Sequence, residues 1–187
     1  MKEGVVYSGS FNPFHIGHYA TVERLSQEFD VVFLVVSVQN PFKDNGANNF
    51  DERVANVKEV IQRKGLTNVI VEDIESTLEP PYYTINTLKK LEEKHPDIIL
   101  SYCVGGDCLI DFDKWKDWES ILTHFGLIVI PRKGYCHKHA YLRLRDLATE
   151  PEYWMVDALS DCDIPEVSST EIREKLKLGE DVSALLP

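Results

Sequence analysis

Apolar residues along this chain follow two alternating patterns. Short, nearly unbroken runs rich in Val and Ile occur at residues 5–8, 31–38, 69–71, 98–104 and 127–130. Runs of that length without polar interruption predict strands buried on both faces. Between them lie stretches with an apolar residue every three or four positions, the spacing of one helix face. Residues 16–29 follow the first run. Residues 51–63 set Val54, Val57, Val60 and Ile61 on one side, with Asp51 expected as the N-cap. Residues 83–94 do the same with Ile85, Leu88 and Leu91, and Pro96 is expected to close that helix. A final segment, "VSSTEIREKLKLG", reads as a helix capped by Ser168 or Ser169, with Ile172, Leu176 and Leu178 as its stripe and Gly179 at C′. Residues 137–147 are amphipathic as well.

Strands alternating with helices predict a parallel sheet with right-handed crossovers. The expected fold is α/β, a Rossmann-like doubly wound sheet with flanking helices, in a single domain spanning 1–187. Ligands of such folds bind beyond the carboxyl ends of the strands, where the strand order reverses. The chemistry-bearing stretches follow strands: "GSFNPFHIGH" (9–18), "QNPFKD" (39–44), "GGD" (105–107) and "PRKGY" (131–135).

In the first of these, Gly9 and Ser10 allow a bulky group close to the backbone. His15 and His18 are three residues apart at a helix start, which brings both rings to one face of the first turn. Unpaired N–H groups and the positive end of the helix dipole lie beside them, an arrangement suited to phosphate. Ser168, Ser169, Thr170 and Arg173 open the last helix with hydroxyls, amide donors and a guanidinium, a second such cradle.

Composition narrows the class. The 187 residues are 43% hydrophobic and 27% charged, with no apolar run near the roughly 18 residues that span a bilayer. The start, "MKEG", carries no apolar leader stretch, and Cys103, Cys108, Cys136 and Cys162 show no CxxC spacing. Reduced thiols and a cytoplasmic location are the expectation, with no membrane partner. "CHKH" (136–139) lacks a second ligand pair and reads as a polar surface turn, so no protein-held metal is expected. A net charge of −11 argues against nucleic-acid binding, which needs a basic face. It leaves room for a phosphate ligand held by a few local cations. Arg53 and Lys133 read as solvated charges, and Trp118 as core. No oligomeric state follows from these patterns.

Taken with "VSSTEIR", "GSFNPFHIGH" resembles the nucleotidylyltransferase superfamily, whose signatures are (H/T)xGH and SSTxIR. More narrowly the chain resembles the nicotinate-nucleotide adenylyltransferase family. "VQNPFK", "YTINTLKKL", "GGDCLIDFDKWKDWESIL" and "VIPRKGY" fall in that family's order almost end to end. The resemblance implies an enzyme that moves the adenylyl group of ATP to nicotinate mononucleotide, with magnesium accompanying ATP. It assigns Gly9, Ser10 and Phe11 to the phosphate region and His15 and His18 to the ATP phosphates, His18 nearest the α-phosphate. Gly105 and Asp107 fall to the adenosine, and Ser168, Ser169, Thr170 and Arg173 to the phosphates from the opposite side. His15, His18 and Arg173 would be the catalytic groups. Ser10, Lys43, Thr84, Trp115 and Arg132 would meet the mononucleotide. Nicotinamide mononucleotide or phosphopantetheine as acceptor, and a non-catalytic nucleotide-binding regulator, are the alternatives. The "HIGH" of class I aminoacyl-tRNA synthetases is set aside because the chain is short, acidic and without a KMSKS-like loop.

Overall fold

The computed structural model describes residues 1–39, 49–131, 137–148, 156–158 and 164–187. Among the described residues six strands form one parallel sheet: β1 (Lys2–Gly9), β2 (Val31–Val36), β3 (Val69–Glu72), β4 (Ile98–Gly105), β5 (Leu127–Ile130) and β6 (Val156–Ala158). The strand order is β3-β2-β1-β4-β5-β6, so the order reverses between β1 and β4. This is the doubly wound arrangement expected from the strand–helix alternation, with ligand space at the carboxyl ends of those two strands. β6 is too short to have stood out as an apolar run.

Alternation along each strand divides the core between the two faces of the sheet. Val5, Tyr7, Val32, Leu34 and Val36 face one side. There they meet Val22 and Leu25 of α1 (Ile16–Glu28) and Val54, Val57, Val60 and Ile61 of α2 (Phe50–Lys64). Val6, Phe33, Val35, Leu100, Tyr102 and Val104 face the other. They pack on Ile85, Leu88 and Leu91 of α3 (Thr84–Lys94). On the same face lie a 3₁₀ segment (Gly106–Lys114), the short α4 (Trp118–Ser120), a π turn (Ile121–Phe125), and Leu144 of α5 (His137–Leu147). The last helix is α6 (Ser169–Lys177). Because both faces are covered, the central strands lack the polar alternation of a half-exposed sheet.

The structure differs from the sequence expectation in several local places. β2 ends at Val36, not 38, because the carbonyls of Ser37 and Val38 accept from a side chain described below instead of continuing the ladder. At α2, Asn49 holds the N-cap position; Asp51 lies inside the first turn, where its charge suits the helix dipole. The stripe on α6 narrows to Ile172, which is fully buried, while Leu176 and Leu178 are exposed: only the N-terminal part of this helix rests on the body. Trp118 is half-buried at the margin of the core, not within it. Elsewhere the end signals act as read. Ser168 Oγ caps α6 by accepting from Glu171 N–H at 3.1 Å, and Gly179 follows in the left-handed region at φ 74°.

Candidate active site

A cavity of about 350 Å³ opens at the carboxyl ends of β1 and β4. Its lining includes Gly9, Ser10, His15 and His18 from the first motif and Gly105 and Asp107 after β4. Thr84 and Trp115 line it too, as do Ser168, Ser169, Thr170 and Arg173 from the far end of the sequence. Two segments about 150 residues apart in sequence thus face one space, the convergence that the paired phosphate cradles call for.

The first motif is organised by its histidines. His15 is the N-cap of α1, and its Nδ1 accepts from His18 N–H at 3.3 Å. In return His18 Nδ1 accepts from His15 N–H at 3.3 Å, so the two imidazoles form a reciprocal capping box. The rings stack with centroids 3.5 Å apart and planes 17° from parallel. A ring nitrogen that accepts carries no proton, so each ring keeps its hydrogen on Nε2. Both rings line the cavity, beside a helix N-terminus with no acidic residue in its first turn. Phe14 stacks on His18 at 5.7 Å and Phe11 meets it edge-on at 5.0 Å, which holds the ring upright. Phe11 itself turns into the core at 2% exposure and is absent from the cavity lining, so its side chain supports His18 from behind.

The C-terminal cradle is stapled onto this loop. Ser169 Oγ donates to Pro13 O at 3.1 Å. Arg173 donates to Asn12 O at 2.6 Å and to Thr170 Oγ1 at 3.1 Å. At Gly17 a Cβ would come within 2.8 Å of Pro165 O, so only glycine admits the segment that leads into α6.

Trp115, also in the cavity lining, ends the 3₁₀ segment, its ring tilted on Phe112 at 4.8 Å. Thr84 is the first residue of α3, whose N-terminus faces the same space. Lys116, exposed and paired with Asp117 at 3.4 Å, adds a cation that the motif reading did not name. Lys43, Arg132, Lys133, Cys136 and Cys162 lie outside the described residues.

Arg53 corrects the expectation of a solvated charge. It is 8% exposed. Its guanidinium donates to Ser10 O and Ser37 O at 2.7 Å each and to Val38 O at 3.3 Å. It thereby clasps the exits of β1 and β2. Opposite, Glu75 is 5% exposed, in a 3₁₀ turn (Ile74–Thr77) after β3. It accepts from Val38 N–H at 3.0 Å and from Thr87 Oγ1 at 3.2 Å. Burial raises the Glu75 carboxyl from 4.5 to about 7, against the lowering pull of those two hydrogen bonds and of Arg53. A carboxyl held above its unfolded value stabilises the fold most below about pH 4.5, and that contribution is lost as pH rises to about 7. Glu75→Gln, which keeps the hydrogen-bonding shape, is therefore expected to gain in thermal midpoint relative to the parent across that interval. Melting both proteins at several pH values from 4.5 to 8 checks it; parallel curves would remove Glu75 as the titrating group.

The fold and the paired cradles at its switch point define a nucleotidylyltransferase. The chain belongs to the cytidylyltransferase-like family, whose model matches residues 6–175, and within it to the nicotinate-nucleotide adenylyltransferases. The probable nicotinate-nucleotide adenylyltransferase of Flavobacterium johnsoniae is 31% identical over 189 residues, covering 100% of this chain and 92% of that one. Its counterpart from Bacteroides fragilis is 34% identical over 184 residues, covering 97% and 85%. Plasmodium falciparum nicotinic acid mononucleotide adenylyltransferase complexed with NaAD shares the fold at a TM-score of 0.79 and 20% identity, covering 98% of this chain and 88% of that one. Among the described residues no helix is long and apolar enough to cross a membrane.

Proposed function

We propose that this chain, acting as one domain over residues 1–187, transfers the adenylyl group of ATP to nicotinate mononucleotide, giving nicotinate adenine dinucleotide and pyrophosphate. The observation that carries this reading is the meeting of the His15–His18 box and the α6 N-terminus in one cavity. Thr84 and Trp115 line the same cavity.

The mononucleotide phosphate attacks the α-phosphorus of ATP. The new P–O bond forms as the bond from the α-phosphorus to the bridging oxygen breaks, and that oxygen leaves with pyrophosphate. No protein nucleophile is needed, because the acceptor brings its own. The work left to the chain is to hold two anions in line and to neutralise the charge that builds up. In a protein of net charge −11, that positive potential has to be local. His15 and His18 would donate from Nε2 to the triphosphate, His18 at the α-phosphate. Ser168, Ser169, Thr170 and Arg173 would hold the phosphates from the opposite side. Gly9 and Ser10 leave room for the phosphates, and Gly105 and Asp107 would take the adenosine, Asp107 accepting from ribose hydroxyls. Trp115 would stack on the pyridine beside Thr84, and Lys43 and Arg132 would meet the mononucleotide.

Among the described residues no group of three or more His, Cys, Asp or Glu side chains is arranged to hold a metal ion. Magnesium would enter with ATP on phosphate oxygens and water, where it neutralises polyphosphate charge.

Pyrophosphate release with ATP and each of three acceptors tests the reading. Release with nicotinate mononucleotide, well above that with nicotinamide mononucleotide or phosphopantetheine, is expected. Tight ATP binding with no release for any acceptor would make the chain a regulator instead.

A further inference from the structure

The peptide between Ser37 and Val38 leads from β2 into the cavity wall, where Ser37 and Gln39 both belong to the lining. Both of its polar groups are held. Ser37 O accepts from Arg53 at 2.7 Å, and Val38 N–H donates to Glu75 Oε2 at 3.0 Å. In a planar trans peptide those groups point opposite ways, so a cation and an acid grip one plane from its two edges. A flip of that plane would aim the N–H at the guanidinium, which has no acceptor to offer. Glu75 also reaches the next element. Its other oxygen accepts from Thr87 Oγ1 at 3.2 Å, and Thr87 lies one turn into α3, the helix that Thr84 opens. On the far edge, the guanidinium that holds Ser37 also holds Ser10 O at 2.7 Å. Glu75 is itself part of the lining and is 5% exposed, an acid to which the proposed transfer gives no chemical task.

We propose that Glu75 is a positioning residue for the mononucleotide side of the cavity: it ties the first turn of α3 to the exit of β2 and fixes the Ser37–Val38 peptide. The inference rests on the assignment of Ser10 and Thr84 to the mononucleotide. Those two residues stand on separate elements. The bonds from Thr87 to Glu75 to Val38, and from Ser37 to Arg53 to Ser10, run between them. Gly105 and Asp107, assigned to the adenosine, take no part in that run. What Glu75 supplies is acceptor geometry, not charge. When the acid carries a proton, that proton can sit on Oε1 with the Thr87 hydroxyl turned to accept it, and Oε2 still takes Val38 N–H. Glutamine can do the same, its carbonyl toward Val38 and its amide N–H toward Thr87. Leucine fills the space and offers neither.

The experiment is steady-state kinetics on Glu75→Gln, Glu75→Leu and Thr87→Val with both substrates varied, beside calorimetric Kd values for nicotinate mononucleotide and thermal midpoints. Glu75→Leu is expected to raise KM for the mononucleotide about five- to tenfold, the loss of an ordering hydrogen bond. KM for ATP should stay within about twofold. Glu75→Gln should keep both KM values within about twofold of the parent, because the acceptor at Val38 remains. Thr87→Val cuts the α3 end of the run without changing charge or shape, and should raise the mononucleotide KM about threefold; it decides the matter if the leucine protein fails to fold. A glutamine protein that behaves like the leucine one would make charge the active property, and that overturns the inference. So does an unchanged mononucleotide KM in Glu75→Leu or in Thr87→Val, or a rise of both KM values in step with a lower melting point, the mark of a merely structural acid. A parent protein that binds the mononucleotide without turnover removes the proposed reaction and leaves the Kd ratios to decide the inference; a parent that binds none removes both.

Discussion

The His18→Ala protein is expected to turn over about 10²–10³-fold more slowly than the parent, the loss typical of one preorganised donor at a site of developing charge. The imidazole is set in place three ways: Nδ1 accepts from the His15 backbone, one face stacks on His15, and Phe11 and Phe14 close the remaining sides. Little is left to reorganise when charge appears at the α-phosphate. An alanine leaves that charge to water, which must reorient during the reaction. KM for ATP should change less than kcat, since the triphosphate keeps the α6 cradle. Single-turnover measurement of pyrophosphate release checks the prediction. A loss below about threefold would remove His18 from the mechanism.

Arg53→Ala should show the largest stability effect of any single change near the cavity. Three main-chain carbonyls lose a cationic donor at once, and the buried Glu75 loses the positive charge that faces it. Ser10, Ser37 and Val38 are only half-buried, so water replaces part of what is lost, and a total of about 2 kcal/mol is expected for a charged donor. For a chain of this size that corresponds to roughly 4–8 °C in Tm. Arg53→Lys should recover only a small part, because one ammonium cannot span carbonyls that a planar guanidinium bridges. Thermal unfolding of the three proteins decides it: a midpoint for Arg53→Ala within about one degree of the parent would mean that the clasp holds nothing. Because Ser10 is one of the clasped residues, activity should fall as well, with kcat affected through the loop that leads to His15.

Much of the architecture was readable from apolar spacing because the sheet is covered on both sides. The runs at 31–36 and 127–130 have no other way to satisfy so many branched aliphatic side chains. The paired cradles were readable for a related reason: glycines, histidines and hydroxyls directly after a strand or before a helix have few structural uses. Arg53, Glu75 and Tyr102 were not. Arg53 sits on a helix of otherwise ordinary amphipathic pattern, and nothing local says that its guanidinium will meet carbonyls 15 and 43 residues away. Glu75 looks like one more acid in an acidic chain until the fold buries it. Tyr102 has the spacing of a core residue, and it is one; its hydroxyl gains a partner only when Ser8, 94 residues earlier, comes alongside. The stripe on α6 failed in the opposite sense. Period alone could not say that the body supports only Ile172 and leaves Leu176 and Leu178 in water.

The contact that leaves no room for a Cβ at Gly17 ties the opening motif to Pro165, on the segment that leads into α6. The bonds from Ser169 to Pro13 and from Arg173 to Asn12 close loops of 156 and 161 residues. A nascent polypeptide can lay down the central strands early, yet the proposed phosphate site has only one wall until residues 165–173 have emerged and docked. Nucleotide therefore cannot template the early stages of folding; it can only lock a chain in which these two distant segments have already met.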